Sequence, residues 1–228
     1  MYWEDRCTKP ASMLMEKKKF YRKNLPHLQI RGQTFFVTWL LAGVHSNREF
    51  SKLKMEFERI RYQIKEKSNN KKKDLKKASN KYFLEFDKKL NTLKSGKHFM
   101  KKPEVAQVVA DSIHYWDNKR IDLYCYCIMS NHVHAVFTVF EKNELDSPLY
   151  LQDIMQSIKN YSARGCNKLL GLKGQFWHHE SYDRLIRDRE ELYRIICYVL
   201  DNPIKAGLCK ERKDWRWSYI NPEYNEFM

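Results

Sequence analysis

The sequence predicts an α+β protein in which an antiparallel sheet is backed by helices, as in ferredoxin-like and RNA-recognition folds, with a charged helical insertion. Short stretches rich in β-branched and aromatic residues alternate with longer stretches whose apolar residues recur at the helical period. Their order is strand, helices, strand, strand, helix, strand, helix. A hydrophobic content of 43% over 228 residues supports one sizeable core.

Four segments have the composition of strands. The first, TFFVTWLLAG, is β-branched and aromatic and is closed by Gly43. IDLYCYCIM and HVHAVFTVF follow one another with only Ser130 and Asn131 between them, which predicts an antiparallel pair. The predicted strands cover residues 34–43, 121–129, 132–140 and 181–187. Residues 1–33 are basic and are predicted to be irregular.

Residues 47–98 are predicted to form a helical insertion within a single domain that spans residues 1–220. Phe50, Leu53 and Phe57 follow the helical period, and the polar stretch SNNKKKD separates this helix from a second one. The insertion's lysines either contact nucleic acid or form only a solvated face. A basic C-terminal tail is predicted over residues 208–228.

Three further helices are predicted. Pro103 stands at the first turn of a helix over residues 103–118, and a second helix covers residues 147–170. The last begins at Asp188, with Glu191 three residues later as in a capping box, and stops before Pro203.

Charge and composition favour a polyanionic partner. Lysine and arginine number 43 against 28 acidic residues, a net charge of +15, and 14 tyrosines, 12 phenylalanines and 6 tryptophans could stack on unpaired bases. No run of eighteen apolar residues is present, so no membrane span is expected. The N-terminus has no signal-peptide pattern, and the expected location is the cytoplasm. Cys125 and Cys127 alternate along a strand and are predicted to be buried, reduced thiols.

The His132-Val133-His134 sequence places two imidazoles on the same face of a strand, because residues i and i+2 project together. Such a pair can supply two ligands to a metal ion. It can equally be two ordinary polar side chains, so a third ligand and a chemical task are needed to decide.

The last helix offers both. Tyr198 and Asn202 lie four residues apart on one flank of its apolar stripe, so a tyrosine nucleophile and a neutral oxygen ligand could reach a metal held by the histidines. Tyr198 could instead be a packing residue. Tyr161, on the earlier helix, is the alternative nucleophile, but the residue four positions later is Gly165, which has no ligand atom.

Together these residues resemble the HUH single-strand endonucleases and, within them, the REP-associated tyrosine transposases of bacteria. The matching motifs are the Asn-His-Val-His stretch at 131–134, the NPIKAGL stretch at 202–208, the Trp-Arg-Trp-Ser stretch at 215–218, and Gly174, Phe176, Trp177, Tyr182, Asp183, Arg187 and Asp188. The resemblance covers residues 25–220, and the insertion has no counterpart in it. Ser130 replaces the proline that usually precedes the motif, and Trp39 stands where an arginine is frequent.

The resemblance implies an HUH endonuclease fold and a metal-dependent reaction on single-stranded DNA. His132, His134 and Asn202 would hold one Mg²⁺ or Mn²⁺ ion. Because two of these ligands are histidines, we expect Mn²⁺ to serve at least as well as Mg²⁺. Tyr198 would attack phosphorus to give a 5′-phosphotyrosine and a free 3′-OH, to which another strand could be joined. The expected substrates are hairpin-forming repeats, and the enzyme would be a monomer or a homodimer.

A group of basic residues around this site is predicted to contact phosphates. The candidates are Arg184, Arg187, Arg189, Lys205 and Arg216. Two alternative functions remain open. One is a module of the same fold that binds DNA or RNA hairpins without cutting them. The other is a replication initiator or conjugative relaxase, which often carries a second tyrosine on the helix or a fused helicase; Tyr193, five residues from Tyr198, does not fit that pattern.

Overall fold

The structure is a computed structural model that describes residues 19–22, 26–29, 31–44, 48–93 and 96–228. Most of the segment that was predicted to be irregular, residues 1–33, lies outside these ranges. Its described part contains two short strands, β1 (Lys19–Arg22) and β2 (Pro26–Gln29), which pair with each other in antiparallel orientation. The sequence pattern did not predict this pair.

A five-stranded antiparallel sheet forms the centre of the molecule. Its strands are β3 (Thr34–Leu40), β4 (Ile121–Ile128), β5 (His132–Val139), β6 (Tyr182–Leu185) and β7 (Ser218–Ile220), in the spatial order β6-β3-β5-β4-β7. The four predicted strands are confirmed. The short edge strand β7, which pairs with β4, was not predicted and lies within the segment that was expected to be a basic tail.

Within the described ranges, six α-helices accompany the sheet. They are α1 (Arg48–Lys67), α2 (Lys71–Thr92), α3 (Pro103–His114), α4 (Leu151–Leu170), α5 (Arg189–Leu200) and α6 (Asn202–Lys205). Short 3₁₀ helices cover Phe99–Lys101, Arg212–Asp214 and Pro222–Phe227. The chain therefore has the α+β fold that was predicted, an antiparallel sheet backed by helices. Among the described residues, no helix is both long and apolar enough to cross a bilayer.

The two faces of the sheet are covered by different helices. Strand alternation places Phe35, Val37 and Trp39 on the first face, where they share a buried cluster with residues of α3 and α4. On the second face Phe36 and Val136 pack against the apolar stripe of α5. Cys125 and Cys127 also lie on this second face, buried and unpaired, as predicted. Helix α5 and the histidines of β5 are therefore on the same side of the sheet.

Helices α1 and α2 pack against each other through aromatic pairs. The rings of Phe57 and Tyr82 stack at 4.4 Å, and those of Phe50 and Phe86 lie 5.0 Å apart. Phe50 and Phe86 belong to the first-face cluster, whereas Phe83 of the same α2 belongs to the second-face cluster. The two helices therefore dock on the sheet, and α2 reaches the face that carries α5.

Helix α5 begins with half of the predicted capping box. The Asp188 carboxylate accepts a hydrogen bond from the Glu191 backbone N–H at 2.7 Å. The Glu191 carboxylate does not return to the cap. It accepts hydrogen bonds from the Arg184 guanidinium and from the Arg187 backbone N–H at 3.1 Å. This buried carboxylate therefore links α5 to the end of β6.

Replacing Glu191 should destabilise the protein, whereas replacing its neighbour Glu190 should not. The Glu191 side chain is 4% exposed and its loss leaves Arg184 without its carboxylate, while the Glu190 side chain is 83% exposed. We expect Glu191→Ala to lower the free energy of unfolding by about 2–3 kcal/mol and Glu190→Ala to change it by less than about 0.5 kcal/mol. Urea unfolding followed by circular dichroism measures both. Equal effects of the two changes would contradict the assigned role of Glu191.

Candidate active site

The two histidines of β5 lie side by side on the second face of the sheet. Both are fully buried, their rings are 4.7 Å apart between centroids, and their Nε2 atoms are separated by 3.1 Å. His134 is paired across the sheet with Thr38 on β3 and Cys127 on β4, so its orientation is set by the register of three strands. The prediction from strand alternation that both imidazoles lie on one face is therefore confirmed.

Neighbouring polar groups hydrogen-bond to the Nδ1 atoms of both imidazoles. Asn131 Nδ2 donates to the Leu90 carbonyl at 3.2 Å, which leaves Asn131 Oδ1 as an acceptor 2.6 Å from His132 Nδ1. His132 Nδ1 must therefore carry the proton, and in a neutral ring Nε2 then has a free lone pair. His134 Nδ1 lies 2.7 Å from the Thr38 hydroxyl, which can accept the corresponding proton. Hydrogen bonding of the distal nitrogen in this way is typical of metal-binding histidines.

A carboxylate from α2 meets the two imidazoles. Asp87 Oδ1 lies 3.0 Å from His134 Nε2 and 3.7 Å from His132 Nε2. In the part of the chain that the structure describes, Asp87 Oδ1 is buried without a hydrogen-bond partner, and it converges with the two Nε2 atoms at one point. Bonds of about 2.1 Å at right angles place ligand atoms about 3 Å apart, close to the separations seen here. The Asp87, His132 and His134 group could therefore bind a divalent metal ion.

Asp87 was not predicted from the sequence. It lies in the EFDKKL stretch of the insertion, whose charges were interpreted as a nucleic-acid contact or a solvated face. The signal that could have found it is its position. Phe83, Phe86 and Leu90 form the buried stripe of α2, and Asp87 occupies that same stripe at 4% exposure. An acidic residue inside an apolar stripe needs a partner across the interface.

The surroundings of Asp87 and His132 shift the pKa values of both side chains. Burial, together with the positive charge that His134 would carry, lowers the pKa of His132 to about 3, so its imidazole is neutral at physiological pH. Burial raises the pKa of Asp87, but the adjacent His134 and His132 and the Tyr198 hydroxyl outweigh that effect and hold it at about 2. A charged Asp87 carboxylate and a neutral His132 imidazole are in the protonation states in which such groups ligate metals.

Tyr198 of α5 is in direct contact with this group. Its hydroxyl donates a hydrogen bond to Asp87 Oδ2, the oxygen that does not face the histidines. Its ring lies 6.0 Å from the rings of Phe36 and Phe83 and 6.1 Å from that of His134. Burial and then the negative charge of Asp87 raise the pKa of Tyr198 far above its ordinary value, so the hydroxyl is protonated at neutral pH.

Asn202, the predicted third ligand, is fully buried next to this group. Its Oδ1 accepts a hydrogen bond from Asn91 of α2 at 3.1 Å, and its Nδ2 donates to the Tyr198 carbonyl at 2.9 Å. Asn91 Nδ2 also lies 3.4 Å from Asp87 Oδ2. The structure thus brings Asp87 directly to the histidines, and Asn91, which was not predicted as a site residue, connects Asn202 to Asp87.

The residues that were predicted to contact phosphates differ in their exposure and in the groups that they contact. Lys205 is exposed and its ammonium lies 4.5 Å from the centre of the Tyr198 ring. Arg184 is in an ion pair with Glu191 and donates to Asn80 at 3.0 Å, so its guanidinium has a structural role. Arg189 donates to the Tyr193 hydroxyl, and Arg216 lies 5.0 Å from the Trp217 ring. Arg187 is exposed.

Tyr161, the alternative nucleophile, lies elsewhere. It is 58% exposed on α4, whose apolar side packs on the first face of the sheet, opposite the histidines. It borders a small cavity of about 260 Å³ with Val108 and Arg164. The geometry therefore places Tyr198 and not Tyr161 next to the candidate metal-binding group.

Comparisons with known proteins give a structural likeness. No family model matches the chain, and no curated protein matches it. A solved structure of a REP-associated tyrosine transposase bound to a REP hairpin is similar over 86% of this chain and 82% of that chain, with 16% sequence identity and a TM-score of 0.46. This is a likeness of general shape.

Metal binding should depend on both the histidines and the groups that orient them. We expect His134→Ala to abolish detectable Mn²⁺ binding and Asn131→Ala to weaken it by about 10–100-fold, because Asn131 orients His132 without touching the metal. His179→Ala is the control, since His179 is exposed outside the site. Isothermal titration calorimetry measures the three affinities. Unchanged Mn²⁺ affinity in His134→Ala would contradict the assignment of the site.

Proposed function

We propose that this protein is a metal-dependent endonuclease and strand transferase of single-stranded DNA, of the tyrosine transposase type. The observation that carries the proposal is the hydrogen bond between the Tyr198 hydroxyl and Asp87, since Asp87 is part of the buried group that could bind a divalent metal. A single carboxylate, that of Asp87, therefore contacts both the proposed nucleophile and the proposed metal site. The sequence resemblance to REP-associated tyrosine transposases supports the same assignment.

The proposed substrate is DNA that forms hairpins, as the resemblance implies. The net charge of +15 suits a polyanion. Near the site, Lys205 lies against the outer side of the Tyr198 ring and is exposed to solvent. We assign to Lys205 the first contact with the phosphate that is cut, since it is the predicted cation that touches the nucleophile.

The chain's own residues account for the positions of the reacting atoms. His132 and His134 would hold the metal together with a side-chain oxygen packed against them, and a bound divalent ion would neutralise charge that develops on the phosphate oxygens. Tyr198 Oη forms a bond to phosphorus while the bond from phosphorus to the 3′ oxygen breaks. The proton of Tyr198 leaves along its hydrogen bond toward Asp87, and the 3′ oxygen takes a proton from solvent. Attack by another 3′-OH reverses these bonds and joins the strands.

A second candidate function is a hairpin-binding protein without nuclease activity. One observation favours it: His132, His134 and Asn202 are all fully buried, and Asp87 of the insertion lies over them. In that case the polar group would only fasten α2 to the sheet. The two functions differ in whether a covalent protein–DNA adduct forms.

The adduct experiment uses hairpin-forming repeats from the DNA that flanks the gene, labelled as single strands. Wild type should give a band of reduced mobility on a denaturing gel with Mn²⁺, and EDTA should abolish it. Tyr198→Phe should lose the band, whereas Tyr161→Phe and Tyr193→Phe should keep it. An adduct that survives Tyr198→Phe would contradict the assigned nucleophile. Tight hairpin binding in EDTA without any adduct would support the second candidate function.

Replacing Lys205 should weaken DNA binding in a salt-dependent manner. Lys205→Ala removes one phosphate contact, so the slope of log affinity against log salt should fall by about one. Lys142→Ala is the charge-matched control, because Lys142 follows the opposite end of β5 from the histidines. Fluorescence anisotropy with a labelled hairpin at several salt concentrations measures both. Identical slopes for the two variants would contradict the role given to Lys205.

A further inference from the structure

Helix α2 presents a row of polar side chains to the candidate site. Asn80, Asp87 and Asn91 are spaced seven and four residues apart, which places them on one side of the helix. Each contacts a residue of the second sheet face or of α5 and α6. Arg184 donates to Asn80 at 3.0 Å, Tyr198 donates to Asp87, and Asn91 donates to Asn202 at 3.1 Å.

Apolar contacts hold this row in place. The Phe83 ring stacks on Tyr182 at 4.3 Å and meets Phe36 edge-on at 5.4 Å. Two turns further along, the Leu90 carbonyl accepts a hydrogen bond from Asn131, the residue that orients His132. Asp87 lies between these two points, so its carboxylate is positioned from both sides.

A carboxylate at this position needs groups that stabilise its negative charge. Asp87 is 4% exposed, and an ionised carboxylate that is buried without a partner costs several kcal/mol or more. Lys77, Lys81 and Lys88 of α2 do not fill this role, because their side chains are exposed to solvent. The groups that do face Asp87 Oδ1 are the two imidazole Nε2 atoms, and the hydrogen bond from His132 to Asn131 leaves His132 Nε2 without a proton.

We propose that the insertion completes the metal centre: Asp87 is the third metal ligand through Oδ1 and positions the nucleophile Tyr198 through Oδ2. The ligand part of this inference requires only that the site binds metal. The positioning part rests on the proposed nuclease function. Asn202 then supports the site through Asn91 and does not ligate the ion.

The ligand type has a consequence for which metal binds. One carboxylate and two imidazoles are donors that suit Mn²⁺ and other first-row transition metals, whereas Mg²⁺ prefers oxygen ligands and water. With Asp87 as the third ligand, the protein should bind Mn²⁺ more tightly than Mg²⁺ even without DNA.

The test measures Mn²⁺ binding to the full chain in the absence of DNA, by electron paramagnetic resonance of the free ion. Asp87→Asn keeps the shape of the side chain and should weaken Mn²⁺ binding at least about 10-fold. Glu85→Gln is the control, since Glu85 is on the same helix and is paired only weakly with Lys81 at 3.9 Å. Asn202→Ala should change Mn²⁺ affinity less than Asp87→Asn does. Unchanged affinity in Asp87→Asn together with loss in Asn202→Ala would overturn the proposal.

A measurement on the wild-type protein guards against a variant that does not fold. Hydrogen exchange of the unmodified chain should show that Mn²⁺ slows exchange in α2 as well as in β5, because the ion would tie both elements together. Mn²⁺ protection of β5 and α5 that leaves α2 unchanged would overturn the role of Asp87.

The adduct assay separates this inference from the proposed function. If wild type binds Mn²⁺ through Asp87 but forms no adduct, the nuclease function fails and the ligand assignment stands. If wild type forms the adduct, Asp87→Asn should form it more slowly even at saturating Mn²⁺, and Asp87→Glu, which restores a carboxylate, should recover part of the rate. Faster adduct formation by Asp87→Asn would overturn the proposal, because the carboxylate would then occupy the place of the substrate phosphate.

Discussion

The arrangement on which the rest of the site depends is the burial of three lone-pair donors at one point. His132, His134 and Asp87 come from a strand and from a distant helix, and their donor atoms meet where solvent is excluded. Burying polar atoms without a compensating partner costs free energy in a protein interior. A divalent cation between them would balance this group, and the hydrogen bonds of Asn131 and Thr38 to the distal ring nitrogens would hold the imidazoles in place for it.

The two faces of the sheet carry different kinds of side chain. The first face, with α3 and α4, holds most of the large apolar side chains, including the fully buried Trp39 and Phe137. The second face also has an apolar cluster, but it carries the histidines, and α5 brings Tyr198 beside them. The rigid core on one side therefore fixes the strand register that sets the positions of the reactive groups on the other.

Local patterns in the sequence predicted much of this. Alternation identified β3, β4, β5 and β6, and it placed His132 and His134 on one face. Helical spacing placed Tyr198 on the flank of α5 that faces them. Local patterns do not show which helix packs on which face of the sheet. Asp87 was missed for that reason, and the ion pair between Arg184 and Glu191 was not predicted because it depends on how β6 meets α5. The short strand β7 has only three residues, too few for an alternating pattern to stand out.

The central claim, that a metal ion joins the insertion to the histidine strand beside Tyr198, is tested most directly by anomalous diffraction from crystals grown with Mn²⁺. The account predicts one strong anomalous peak bound by Asp87 Oδ1 and the Nε2 atoms of His132 and His134, at distances of about 2.0–2.2 Å. No peak at this position, or a peak bound by Asn202 with the Asp87 carboxylate turned away, would contradict it.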